Sequence, residues 1–224
     1  MSLGIVNLAS STSGATPPRV GKSPVAVSSW DIPESFLIEC RALAAALRVG
    51  RGTRASSVLA LTAPRAGAGV TTLAWCLARY LARGTGESVL LIDAVPAPRG
   101  LAGASENPGF GAVLEGVASL DDVVRPTSEP GLDYLPAGDG GDPGRVDQAE
   151  RLFADVRARY THVFIDLPPV LAPGFAESVA QAADAAVLVV EPSADTLDTV
   201  EKAVTILRQV TRVLGVVFNR ADAG

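Results

Sequence analysis

The chain has 224 residues, 48% of them apolar, which is enough for one sizeable α/β domain with a full core. It carries 19 Lys and Arg against 24 Asp and Glu, a net charge of −5, and no Lys/Arg-rich run, which argues against nucleic acid as a main partner. Two cysteines, Cys40 and Cys76, and one histidine, His162, exclude a disulfide framework and a His-based metal site.

In chain order, residues 1–32 are rich in Ser, Thr, Gly and Pro and read as a flexible arm, with one domain expected over 33–224. From Pro33 the stretch "PESFLIECRALAAALR" has an early proline, Glu in the first turn and Arg at the end, which predicts a helix broken at Gly50 to Arg54. Apolar runs then predict strands at 57–62, 88–93, 132–135, 162–166, 185–190 and 213–218. Helical stretches lie between them at 71–83, 110–116, 119–125, 146–159, 173–183 and 195–211. The continuously apolar strands, "VLGVVFN" among them, predict cover on both faces. Strand–helix alternation then gives a three-layer, doubly wound α/β fold with a mainly parallel sheet. Ligands of such folds sit at the carboxyl ends of the strands. The opening "MSLGIVNLASS" has no basic leader, and no apolar run is long enough to span a bilayer, so the expectation is a soluble cytoplasmic protein.

Three strand ends stand out. The first strand runs into "TAPRAGAGVTT", the second ends in Asp93, and the fourth ends in Asp166, followed by Leu167-Pro168-Pro169. Gly67 and Gly69 let a loop curl so that backbone N–H groups converge at the start of a helix, the setting of a phosphate-binding loop. Ala68, Val70, Thr71 and Thr72 complete the candidate binding loop, and Thr71 stands where a hydroxyl would hold Mg²⁺. Asp93 and Asp166 could position that metal or an attacking group. The lysine that G-x-x-x-x-G-K-[ST] requires is absent, and Val70 occupies its place. Val70 offers no hydrogen bond and no charge, and removing one such stabilising group costs on the order of 10²-fold in rate. Arg65 can lean back over a phosphate, reach into a neighbouring subunit, or stand solvated. Asp121 and Asp122 read as the start of a helix, Pro168-Pro169 as fixing the chain's exit from its strand, and Trp30 and Trp75 as packing or docking groups.

Over about residues 33–220 these motifs resemble the bacterial tyrosine kinases of capsule and exopolysaccharide synthesis, within the MinD/ParA-type P-loop ATPases. "SVLALTAPRAGAGVTTLAWCLARYLA", "SVLLIDA", "GFGAVLEGVASLDDVVRPT" with "GLDYLPAG", and "YTHVFIDLPPVL" carry the likeness. The "LPAG" region fits the polysaccharide group better than a MinD/ParA-like positioning protein. The resemblance implies ATP or ADP with Mg²⁺ as ligand, and an adenine contact from Asn219 or a strand-end cap there. It also implies a partner, the cytoplasmic segment of a membrane polysaccharide co-polymerase, with the membrane met only through that partner at the inner face, and a homo-oligomer.

Departures from the family pattern imply the opposite for chemistry. Val70 replaces the lysine, Ala68 the acidic loop residue, and Val95 a further aspartate, followed by "PAPR". The stretch after Pro169 lacks another aspartate, the chain stops at "NRADAG" without clustered tyrosines, and the ring-forming motif, aligned near Ile38, Arg41 and Ala44, retains Arg41 alone. Together they point to a catalytically degenerate, pseudokinase-like protein with no cofactor and with Asp93 and Asp166 as vestigial catalytic residues. An ATPase or tyrosine kinase with a rearranged loop is the alternative.

Overall fold

The computed structural model describes residues 34–95, 101, 108–138, 146–172 and 174–220. The expected arm at 1–32, Trp30, the "PAPR" stretch and the last four residues lie outside the described residues. The elements run α1 (Glu34–Arg51), β1 (Ser57–Thr62), α2 (Val70–Thr85), β2 (Val89–Asp93), α3 (Phe110–Leu114), α4 (Leu120–Val123), β3 (Arg125–Pro126), β4 (Leu132–Leu135), α5 (Val146–Arg157), β5 (His162–Asp166), α6 (Phe175–Ala182), β6 (Ala185–Val190), α7 (Leu197–Val210) and β7 (Val213–Phe218).

One seven-stranded sheet has the order β3-β4-β2-β5-β1-β6-β7, with every pairing parallel except β3 with β4. The period-2 alternation of a strand splits each apolar run between two cores. Val58 and Ala60 of β1 face one core, shared with α3 to α7, while Leu59 and Leu61 face the other, shared with α1 and α2. The expected three-layer, doubly wound architecture is therefore the observed one.

Two expectations change. The helix expected over 119–125 ends at Val123, and Arg125-Pro126 form a short antiparallel edge strand against β4. Its start is as expected: Ser119 caps it, accepting the N–H of Asp122, with Asp121 and Asp122 in the first turn. The helix expected to break within Gly50 to Arg54 does so: it runs to Arg51 and turns at Gly52, whose φ is 62°. β7, expected to be covered on both faces, is an edge strand, and Phe218 at its end is 63% exposed. No residue of β7 is fully buried, so apolar composition does not distinguish a central strand from an edge.

Trp75 is buried, as a packing residue would be. Cys40 and Cys76 are buried free thiols, and burial pushes the Cys76 thiol up to about 11, with Arg79 acting against it. Ala44 lies in the same core, so an arginine at that place in α1 would meet packed side chains. At the end of the sheet opposite the loop, His162 is buried with Nδ1 3.1 Å from Ser57 Oγ and Nε2 3.2 Å from Glu87 Oε2, a strand-to-strand tie.

Candidate phosphate-binding site

β1 delivers the chain into the glycine loop at the carboxyl edge of the sheet. Gly67 and Gly69 have φ of 93° and 92°, which residues with a Cβ rarely adopt, and a Cβ on Gly69 would lie 2.2 Å from Asn219 Nδ2. Gly69 is the N-cap of α2 and supplies no side-chain cap, so the N–H groups of the first turn have no side-chain acceptor. The positive end of the helix therefore faces an open cavity of about 290 Å³. Its wall includes Gly67, Gly69, Val70, Thr71 and Thr72 from the loop side and Asp166 with Pro168-Pro169 from β5. Pro168 is fixed by Thr62 Oγ1, which donates to its carbonyl at 2.7 Å.

The two strand-end aspartates are register partners across β2 and β5. Their surroundings differ. Asp93 Oδ1 accepts the Val95 N–H at 3.0 Å, and Oδ2 accepts the Leu101 N–H at 2.7 Å and the Tyr134 hydroxyl at 2.8 Å. Burial pushes its carboxyl upward while these three donors pull it back. Asp166 is fully buried, and neither of its oxygens has a hydrogen-bond partner among the described residues. Desolvation pushes it up to about 7; the Thr71 hydroxyl offsets part of this without closing a hydrogen bond of normal geometry, and the charge of Asp93 adds to the rise. The structure thus puts Thr71 and Asp166 on the cavity and turns Asp93 toward Tyr134. Tyr134→Phe should lower stability by about 1–2 kcal/mol by leaving Asp93 with one donor fewer, measurable by urea unfolding.

The remaining sequence candidates are placed as follows. Ala68 is buried, and Val70 is half-buried against the core beneath α2. Asn219 Nδ2 donates to Ala68 O at 2.8 Å, so its amide holds the loop. Arg65 is tied to carboxylates while its side chain stays 39% exposed: Nε donates to Asp195 Oδ1 at 2.9 Å and Nη2 to Glu191 Oε2 at 3.2 Å. Arg220, Glu191 and Tyr134 escaped the sequence reading. The signal available was position: Glu191 follows an apolar strand directly, and Arg220 follows Asn219 at the end of another.

In donor chemistry the residues present fit a phosphate group and a divalent cation. The uncapped helix start offers N–H groups to an anion, and the unpartnered Asp166 carboxylate with the Thr71 hydroxyl offers oxygen to a cation. The loop itself contributes no cationic side chain at position 70.

No protein-family model matches the chain. The chain is 31% identical over 200 residues to the "putative tyrosine-protein kinase EpsB" of Ralstonia nicotianae, covering 85% of this chain and 26% of that protein. It therefore spans about a quarter of the length of that relative. It is 28% identical over 176 residues to the tyrosine-protein kinase CpsD of Streptococcus agalactiae, covering 75% of this chain and 76% of CpsD. Among solved structures, the VpsO kinase domain superposes with a TM-score of 0.68 at 28% identity, over 87% of this chain and all of that one. The kinase domain of the Escherichia coli tyrosine kinase ETK gives 0.74 at 23% identity, over 89% and 82%. MinD of Pyrococcus horikoshii, solved with Mg-ADP, gives 0.61 at 20% identity, over 75% and 72%. The protein is a homologue of the bacterial tyrosine kinases, built on the fold that their kinase domains share with the MinD-type P-loop ATPases.

Proposed function

We propose that this chain is a catalytically degenerate relative of the bacterial tyrosine kinases that works by contact. Its partner would be the cytoplasmic segment of a membrane polysaccharide co-polymerase, in exopolysaccharide or capsule synthesis and export. The observation that carries this is Val70. It opens α2 where the kinase resemblance requires an ammonium group, and its side chain is half-buried against the core. Phosphoryl transfer is almost entirely positioning and charge stabilisation, so an apolar group at that place removes a principal catalytic term. The sheet, the two loop glycines and the strand-end aspartates Asp93 and Asp166 remain in place, which is the scaffold that a protein working through its surface needs. No helix among the described residues is long and apolar enough to cross a membrane, so membrane contact in this reading comes through the partner.

The test has two parts. The purified chain with ATP and Mg²⁺ should give neither phosphate release nor phosphotyrosine above a heat-inactivated control. It should also co-purify with the cytoplasmic segment of the co-polymerase encoded beside it. Turnover by the chain alone, or failure to bind that segment, overturns the reading. A second reading, an ATP-binding tyrosine kinase or ATPase with a rearranged loop, draws support from the guanidinium groups of Arg65 and Arg220 in the cavity wall, and the same turnover assay decides between the two.

A further inference from the structure

Two consecutive residues leaving β7 grip two consecutive carbonyls of the glycine loop. Asn219 Nδ2 donates to Ala68 O at 2.8 Å, and Arg220 Nη1 donates to Gly67 O at 3.1 Å. Arg220 reaches back because its backbone is left-handed, with φ 55°, which no other non-glycine residue adopts among the described residues. Its Nη1 also lies 3.3 Å from Glu191 Oε2, the same oxygen that Arg65 Nη2 meets at 3.2 Å. One carboxylate thus holds two arginines. The Glu191 side chain is 15% exposed, while those of Arg65 and Arg220 are 39% and 59% exposed. Both arginines are part of the cavity wall and Glu191 is not. Asp195 completes the arrangement: one oxygen accepts Arg65 Nε and the other accepts the Glu191 N–H at 2.8 Å.

A helix start alone would not make this cavity a ligand site. The fully buried, unpartnered carboxylate of Asp166 on the same wall is an independent sign of a bound group. An anion entering beside it would meet the two guanidinium groups, which pair with phosphate through several hydrogen bonds at once. We propose that Glu191 is an internal stand-in for a ligand phosphate. It holds Arg65 and Arg220 at the cavity, and a polyphosphate binding at the loop draws one or both guanidinium groups away from it. The cation absent at position 70 is then supplied by Arg65 or Arg220, and Glu191 sets the affinity by competing. This rests on reading the cavity as a phosphate site and is independent of whether turnover has been lost.

The experiment is titration calorimetry of the full chain with inorganic pyrophosphate and with ADP, each with Mg²⁺, and with adenosine as the ligand lacking phosphate. Glu191→Gln should tighten pyrophosphate and ADP binding roughly threefold to tenfold, and Arg220→Ala should weaken it about tenfold. In an Arg65→Ala, Arg220→Ala background the Glu191→Gln gain should vanish, and adenosine should respond to none of these changes. A merely structural Glu191 would instead weaken binding when replaced. Unchanged or weaker binding by a folded Glu191→Gln, an unaffected Arg220→Ala, or no binding of either ligand at millimolar concentration overturns the proposal. Melting curves establish that Glu191→Gln folds; if it does not, the exposed Arg220→Ala variant decides alone. Turnover is not read in this titration, so the competition and the loss of catalysis fail separately.

Discussion

Asp166→Asn is expected to stabilise the protein at pH 8 by roughly 2–4 kcal/mol and to leave it nearly unchanged at pH 4. The native carboxyl is pushed from 3.8 up to about 7, chiefly because burial disfavours its charge. Between those values the folded protein holds a proton that the unfolded chain has released. Stability from this group is therefore complete below the unfolded pKa and is lost as pH rises through the folded one. Asparagine carries no charge at any pH and escapes that loss. Asp93, pushed the same way by burial, leaves a residual slope of the same sign in the variant. Thermal melts from pH 4 to pH 8 measure the difference, on the order of 10 °C at the upper end for a chain of this size. Equal melting temperatures for the two proteins at pH 8 would mean that Asp166 is solvated or paired in solution. A buried, unpartnered carboxylate lowers the stability of its own fold, a compromise that a binding role at that place would explain.

Glu129→Ala should cost about 3 kcal/mol, and Glu129→Gln about half as much. Glu129 sits in the turn between β3 and β4 and is 6% exposed. Arg83 of α2 clasps it with both Nε and Nη2, the latter 2.7 Å from Oε1, and Arg79 Nε lies 2.7 Å from the same oxygen without hydrogen-bond alignment. The carboxylate is therefore the tie between α2, which opens on the glycine loop, and the edge of the sheet. Alanine leaves the less exposed guanidinium of Arg79 without its counter-charge, whereas glutamine keeps the shape and one acceptor. Urea unfolding checks this, and a loss below about 1 kcal/mol for alanine would show that solvent already screens the cluster.

The order of strands and helices was legible because it is written in local periods. β1, β4, β5, β6 and β7 begin and end where their apolar runs do, and α2 begins where the glycines stop. Arg125 and Pro126 were not legible as a strand, since two residues carry no period and their pairing depends on the Tyr134 and Asp133 partners that β4 supplies. The loop, Thr71 and the strand-end aspartates could be placed together from the parallel topology alone. How each group is satisfied could not.

The sequence by itself determined a doubly wound sheet with a glycine loop, two strand-end carboxylates and an apolar residue, Val70, directly after the second loop glycine. Only the tertiary structure decided which of these groups remain available to a ligand. Asp93 is taken by Tyr134 and two backbone N–H groups, Asp166 is left alone, Asn219 is spent on Ala68, and Arg65 is shared with Arg220 through Glu191. The physical reason is distance along the chain. Arg65 and Glu191 are 126 residues apart and Ala68 and Asn219 are 151 apart, so their meeting is set by strand order and register, which no local pattern encodes.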